Sequence, residues 1–148
     1  MKNGYLLSLF LFFLSLSSFA QDWTTSFEEA KQQAFKNNKN IVLVFQGSDW
    51  CAPCMKLDRE IWSSDEFKKL SKNHFVMLKA DFPRKKANKL SKEQTLQNSK
   101  LAEIYNNQGI FPLVVVLNKD GKVLGKTGYE KTNPSDYFKK LTSFEKLN

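Results

Sequence analysis

The sequence predicts an α/β protein in which helices flank a mixed central sheet that ends in a β-hairpin and a C-terminal helix. Two observations carry this expectation. Strand-length apolar runs at Ile41 to Gln46, Phe75 to Asp81 and Leu113 to Leu117 alternate with stretches whose apolar residues recur at helical spacing. Such runs, rich in branched residues, suit strands covered on both faces, as in a sheet between two helical layers. The second is Asn118-Lys119-Asp120-Gly121, a turn signal leading into Lys122 to Thr127, which makes the last two strands an antiparallel pair.

From the amino end, Tyr5 to Phe19 is almost entirely apolar or serine, with Lys2 before it and Ser18-Phe19-Ala20 closing it. A basic tip, an apolar run and small residues before a cut read as a secretory signal peptide over residues 1–20. The run is short for a membrane span, which takes roughly 20 apolar residues. With no cysteine near the cut, a bacterial lipid anchor is excluded. The expected product is a soluble periplasmic or secreted protein with one domain over residues 21–148. It keeps 22 basic against 15 acidic residues. That balance would suit nucleic acid or an anionic membrane, but no nucleic-acid motif accompanies it. It reads as a solvated surface with a bias toward acidic partners.

Ser26-Phe27-Glu28-Glu29 is a capping box, and Phe27, Ala30, Ala34 and Phe35 follow as a helical stripe ending near Asn37-Asn38. Beyond the first strand, Met55, Leu57, Ile61 and Trp62 continue a second helix. Ser63-Ser64-Asp65-Glu66 caps another, with Phe67 and Leu70 behind it. A basic, apolar-poor segment runs from Phe82 to Lys92 and reads as a solvated insertion, with partner docking as the alternative. It leads into a helix around Asn98 to Asn106, with Leu101, Ile104 and Tyr105 facing the core. Asn133-Pro134 supplies a cap and first helical residue, followed by Tyr137, Phe138, Leu141 and Phe144 on one face.

Trp50-Cys51-Ala52-Pro53-Cys54 holds the chain's two cysteines, directly after the first strand and a Gly-containing loop. If Cys51 opens a helix, Cys54 lies one turn on and within reach of a disulfide. Free amides and the dipole at a helix start favour a thiolate on Cys51. Pro53 suits the first turn, where the N–H it lacks has no helical partner. A bridge closing so small a loop constrains little of the unfolded chain, so a structural staple is a poor reading. Zinc would need a second pair of ligands, and the single histidine, His74, stands in a surface-like Lys-Asn-His context. Neither a metal nor any other cofactor is expected.

This motif after a buried strand, with Phe111-Pro112 further on, resembles the active site of the thioredoxin-like family across about residues 23–146. The resemblance implies the thioredoxin-like fold and thiol–disulfide exchange. Cys51 would attack and be the more exposed sulfur, and Cys54 would resolve the mixed disulfide. Trp50 would pack over the sulfurs. Pro112 would be cis and, with Trp50 and Phe111, would receive the client chain. Counting back from Trp50 puts the family's buried acid at Phe45 and its partner lysine near Met77, which reads both as replaced by apolar residues. Asp49 and Lys79 read as too exposed to take over, which leaves no general base. Ala52-Pro53 lacks the histidine that strong oxidants of the family carry between their cysteines, which implies a reductant. The implied partners are cysteine-containing client proteins and an external, membrane-embedded electron donor, with no nucleic acid. The protein is expected to be a monomer. An alternative keeps the fold without turnover, as a binding or chaperone-like module.

Overall fold

The computed structural model describes residues 22–146. The expected signal peptide, residues 1–20, lies outside them. From the amino end the chain forms β1 (Trp23–Thr24), α1 (Phe27–Asn37), β2 (Asn40–Gln46) and α2 (Ala52–Leu57). A π-helical turn, Asp58–Trp62, joins α2 to α3 (Asp65–Lys72), and β3 (Phe75–Asp81) follows. A 3-10 turn, Lys86–Asn88, precedes α4 (Lys92–Tyr105). β4 (Leu113–Leu117), β5 (Val123–Thr127) and α5 (Pro134–Ser143) complete the order, with a 3-10 turn, Phe144–Lys146, after α5. Four helices start the same way. Ser26, Ser64, Ser91 and Asn133 each accept a backbone amide three residues on, at Glu29, Phe67, Gln94 and Asp136. α1 stops where Asn38 turns left-handed, at φ 50°.

The strand order is β1-β3-β2-β4-β5. β1, β3 and β2 run parallel, while β4 is antiparallel to both β2 and β5. Successive residues of the central strands therefore feed opposite faces. Ile41, Leu43, Phe45 and Leu78 pack with Ala30 and Ala34 of α1 and with Leu101 and Tyr105 of α4. Val42, Val44 and Met77 pack with Leu57, Ile61, Trp62, Phe67, Tyr137 and Leu141 on the other side. This is the expected mixed sheet between helices, and it is the thioredoxin-like fold.

Several expectations need correction. The two-residue β1, too short to leave a pattern, pairs with the outer edge of β3. Phe35 and Ile104 are not core residues, being 71% and 67% exposed. α4 starts six residues before the expected Asn98. Its first turns hold by hydrogen bonds rather than apolar contact: Gln94 Nε2 and Gln97 Nε2 donate to the Thr25 carbonyl at 2.9 and 2.5 Å. Gln97 Oε1 also accepts the Phe27 amide. Polar anchoring of this kind leaves no hydrophobic period to read.

Trp62, 2% exposed, packs edge-to-face with Trp23, Phe67 and Tyr137 at centroid distances of 5.9, 4.8 and 5.4 Å. Replacing it by alanine should destabilise the protein by about 3–5 kcal/mol. Urea denaturation checks this; a loss under about 1 kcal/mol would mean the cluster is not a core.

Candidate active site

Strand register brings three segments to one end of the sheet. β2 ends at Gln46, opposite Asp81 of β3, and the Phe82 amide extends that ladder by donating to the Gln46 carbonyl at 2.9 Å. On the other side Phe45 pairs with Leu113, so Pro112 reaches the sheet beside the same strand end. The loop carrying Trp50 and the cysteines leaves from this point. Trp50 lies flat on Gly47, where an added Cβ would fall inside the indole. Its Nε1 donates to the Phe82 carbonyl at 2.7 Å, and its ring meets Phe111 edge-on at 5.4 Å. Phe82 in turn packs on Phe111 at 5.4 Å. The Phe111–Pro112 bond is cis, as the resemblance implies.

Cys51 and Cys54 form a disulfide, with their Cα atoms 5.2 Å apart. Cys51 is the N-cap of α2, and its sulfur accepts the Cys54 amide at 3.3 Å. Both residues are only 4% exposed, so exposure does not rank them as expected. Their difference lies in what surrounds them. Cys54 lines a cavity of about 250 Å³ together with Gln46, Asp58 and Lys79.

This cavity revises the search for a general base. Phe45 and Met77 lie on opposite faces of the sheet, so they are not a replaced pair facing one another. The count from Trp50 was out of phase with the strand: Val44 and Gln46, not Phe45, alternate onto the side of α2. Lys79, half-buried with Nζ 4.6 Å from the centre of the Trp23 ring, does reach the surroundings of Cys54. Asp58 was missed although a spacing signal existed: it is exposed, four residues beyond Cys54 on the continuing helix, with its amide donating to the Cys54 carbonyl. His74 is satisfied far from the cysteines, with Nε2 2.8 Å from Glu145 Oε2. Among the described residues no cluster of His, Cys, Asp and Glu could hold a metal ion.

The sequence pattern of thioredoxin-like proteins matches residues 22–119. The disulfide bond reductase DsbH of Chlamydia pneumoniae is 37% identical over 122 residues, which span 82% of this chain and 72% of that protein. The chain belongs to the thioredoxin-like family. A solved DsbH oxidoreductase superposes with a TM-score of 0.78 at 35% identity, covering 86% of this chain and 85% of that one. A disulphide isomerase from Xylella fastidiosa gives 0.59 at 27% identity, covering 78% and 87%. Homology thus sets this thioredoxin-like chain among the thiol–disulfide exchange enzymes.

Within that fold the basic insertion is tied to the cysteine loop. Asp49 accepts the Arg84 and Lys85 amides and the Asn88 side chain, each at 2.9 Å. Donation from the Arg84 amide, then from Asn88, holds its carboxyl below the usual aspartate value despite some desolvation. The Arg84 guanidinium stacks on the Trp50 ring at 3.7 Å. Because the folded pKa is depressed, the tether is complete above the unfolded value of about 3.9 and is lost as pH falls through the lower folded value. Asp49→Ala should therefore speed exchange of the Arg84 and Lys85 amides at neutral pH without changing protection in β2. Unchanged exchange at those two amides would refute the tether.

Proposed function

We propose that the protein reduces disulfides in exported proteins, with Cys51 as attacking thiol and Cys54 as resolving thiol. The observation that carries this reading is the Cys51–Cys54 pair at the start of α2, where the Cys54 amide donates to the Cys51 sulfur. On the reduced protein the same donor favours a thiolate on Cys51. That thiolate attacks a client disulfide and forms a mixed disulfide as the first client sulfur leaves as thiolate. Cys54 then loses its proton and attacks Cys51, releasing the second client thiol. Two electrons have passed to the client, and the pair is oxidised. An external redox partner returns them, since the described residues carry no free cysteine. The protein is read as exported with its signal peptide removed.

The cavity supports a role for Asp58 in the second step. Its carboxylate and Lys79 share the water-accessible space beside Cys54, a route for the proton that Cys54 must lose. Trp50 and Phe111, whose rings meet beside the cis Pro112, offer a partly exposed surface for the client chain. Ala52-Pro53 brings no side-chain donor to either sulfur, which favours a reducing couple over an oxidising one.

Cys51→Ser should abolish reduction of insulin by a dithiol donor, whereas Cys54→Ser should accumulate mixed disulfides through Cys51. Equal trapping by either variant would reverse the order of attack. Equilibration with glutathione should give a potential more reducing than about −180 mV, the region of isomerases. A more oxidising value would contradict the direction. Asp58→Asn should slow resolution by Cys54 on the order of 10- to 100-fold, at or below the range of a positioned general base, while leaving the first attack unchanged. Stopped-flow single turnover separates the two steps, and equal slowing of both would exclude this role.

A further inference from the structure

The Asp49 tether does more than hold the insertion in place; it builds a groove. Phe82, Pro83 and Leu90 form its half-buried apolar lining, and Asn98, 1% exposed, is satisfied at its edge by the Asp81 carbonyl at 2.8 Å. The space is about 290 Å³, at the lower limit of small-molecule pockets, and open to solvent. It suits one or two side chains of a peptide better than a cofactor. Arg84, Lys85, Lys86 and Lys89, all exposed, surround it. Among the described residues no carboxylate side chain forms an ion pair with Arg84, Lys86 or Lys89. The two aspartates nearby are already engaged: Asp81 accepts the Ser48 amide and hydroxyl, and Asp49 holds the insertion. Phe82 lines the groove and also packs on Phe111, so the groove adjoins the surface beside Trp50.

We infer that this groove binds an acidic peptide segment of the disulfide-bearing partner, seating one apolar side chain on Phe82, Pro83 and Leu90 while its carboxylates face the cationic rim. The inference rests on the reductase reading above and names the class of client that site prefers. Charge complementarity selects the occupant, because unpaired cations around an apolar floor raise the local concentration of acidic chains and repel basic ones.

Three synthetic peptides test it, each with the same intramolecular disulfide, flanked by Asp-Glu-Leu, Asn-Gln-Leu or Lys-Lys-Leu. At low salt the acidic peptide should show a KM roughly 10-fold below the neutral one at equal kcat. That advantage should vanish once salt shortens the Debye length to about 3 Å. It should also vanish in the double variant Lys86→Glu/Lys89→Glu. Exchanging the acidic peptide's leucine for serine should raise KM about 10-fold, as expected for losing a buried aliphatic side chain. Calorimetry with the acidic peptide, its cysteines replaced by serines, reads the groove without turnover. Reduction of uncharged 2-hydroxyethyl disulfide reads the cysteine pair without the groove. Failure of that reduction alone would refute the reductase reading, and calorimetry would still judge the groove. Equal affinity for acidic and basic peptides, or an acidic preference that survives the double variant, would overturn the inference. So would adsorption to anionic phospholipid vesicles without discrimination among peptides, which would assign the cations to a membrane surface.

Discussion

The hydrogen bond from Trp50 Nε1 to the Phe82 carbonyl, 2.7 Å long, is the contact on which the active end of the sheet depends. It joins the loop after β2 to the chain leaving β3, alongside the Ser48–Asp81 and Asp49 hydrogen bonds between the same two segments. An unpaired indole N–H beneath the Arg84 guanidinium would cost on the order of 1–3 kcal/mol. The bond is geometrically possible only because Gly47 has no side chain to lift the ring. With the indole held, Phe111 finds an edge to pack against, and the basic insertion finds a flat face for Arg84. The cysteines follow immediately, so their placement inherits the precision of this contact.

The opposite end of the sheet is closed rather than open. Glu145, in the 3-10 turn after α5, accepts the Asn40 side-chain amide through Oε1 at 2.6 Å and meets His74 through Oε2. Asn40 opens β2 and His74 directly precedes β3, so one carboxylate covers the start of both central strands. The loop that carries Cys51 and Cys54 leaves the other end, where the parallel strands β2 and β3 finish. Ligands in open α/β sheets gather at that end, because loops leaving adjacent strands diverge there.

Much of this was legible in the sequence because it followed from periodicity and caps. The runs beginning at Ile41, Phe75 and Leu113 are strands buried on both faces, and Ser26, Ser64 and Asn133 start helices. What was not legible depends on contacts between distant residues. Asp49 is 35 positions from Arg84, and nothing local marks it as the anchor of the insertion. The π-helical turn at Asp58–Trp62 leaves no mark in residue spacing, whereas Asp58 itself sits one ordinary helical turn beyond Cys54, its amide donating to the Cys54 carbonyl, a spacing the sequence does carry. The Phe45 and Met77 comparison failed for a simpler reason. A count along the sequence carries no face, and in a strand an error of one residue exchanges the two sides.

The sheet that organises the core also partitions it. Its central strands contribute alternate side chains to two clusters, so Ala34 of α1 and Leu141 of α5 lie in separate compartments with backbone between them. Energetic coupling between substitutions decays over about 7–10 Å when they share no partner. Compensation for a damaged residue is therefore confined to its own side: a cavity at Leu101 cannot be refilled from Trp62. In a genetic screen this would divide the epistasis map into two blocks, joined mainly through the backbone of β2 and the loop that leaves it.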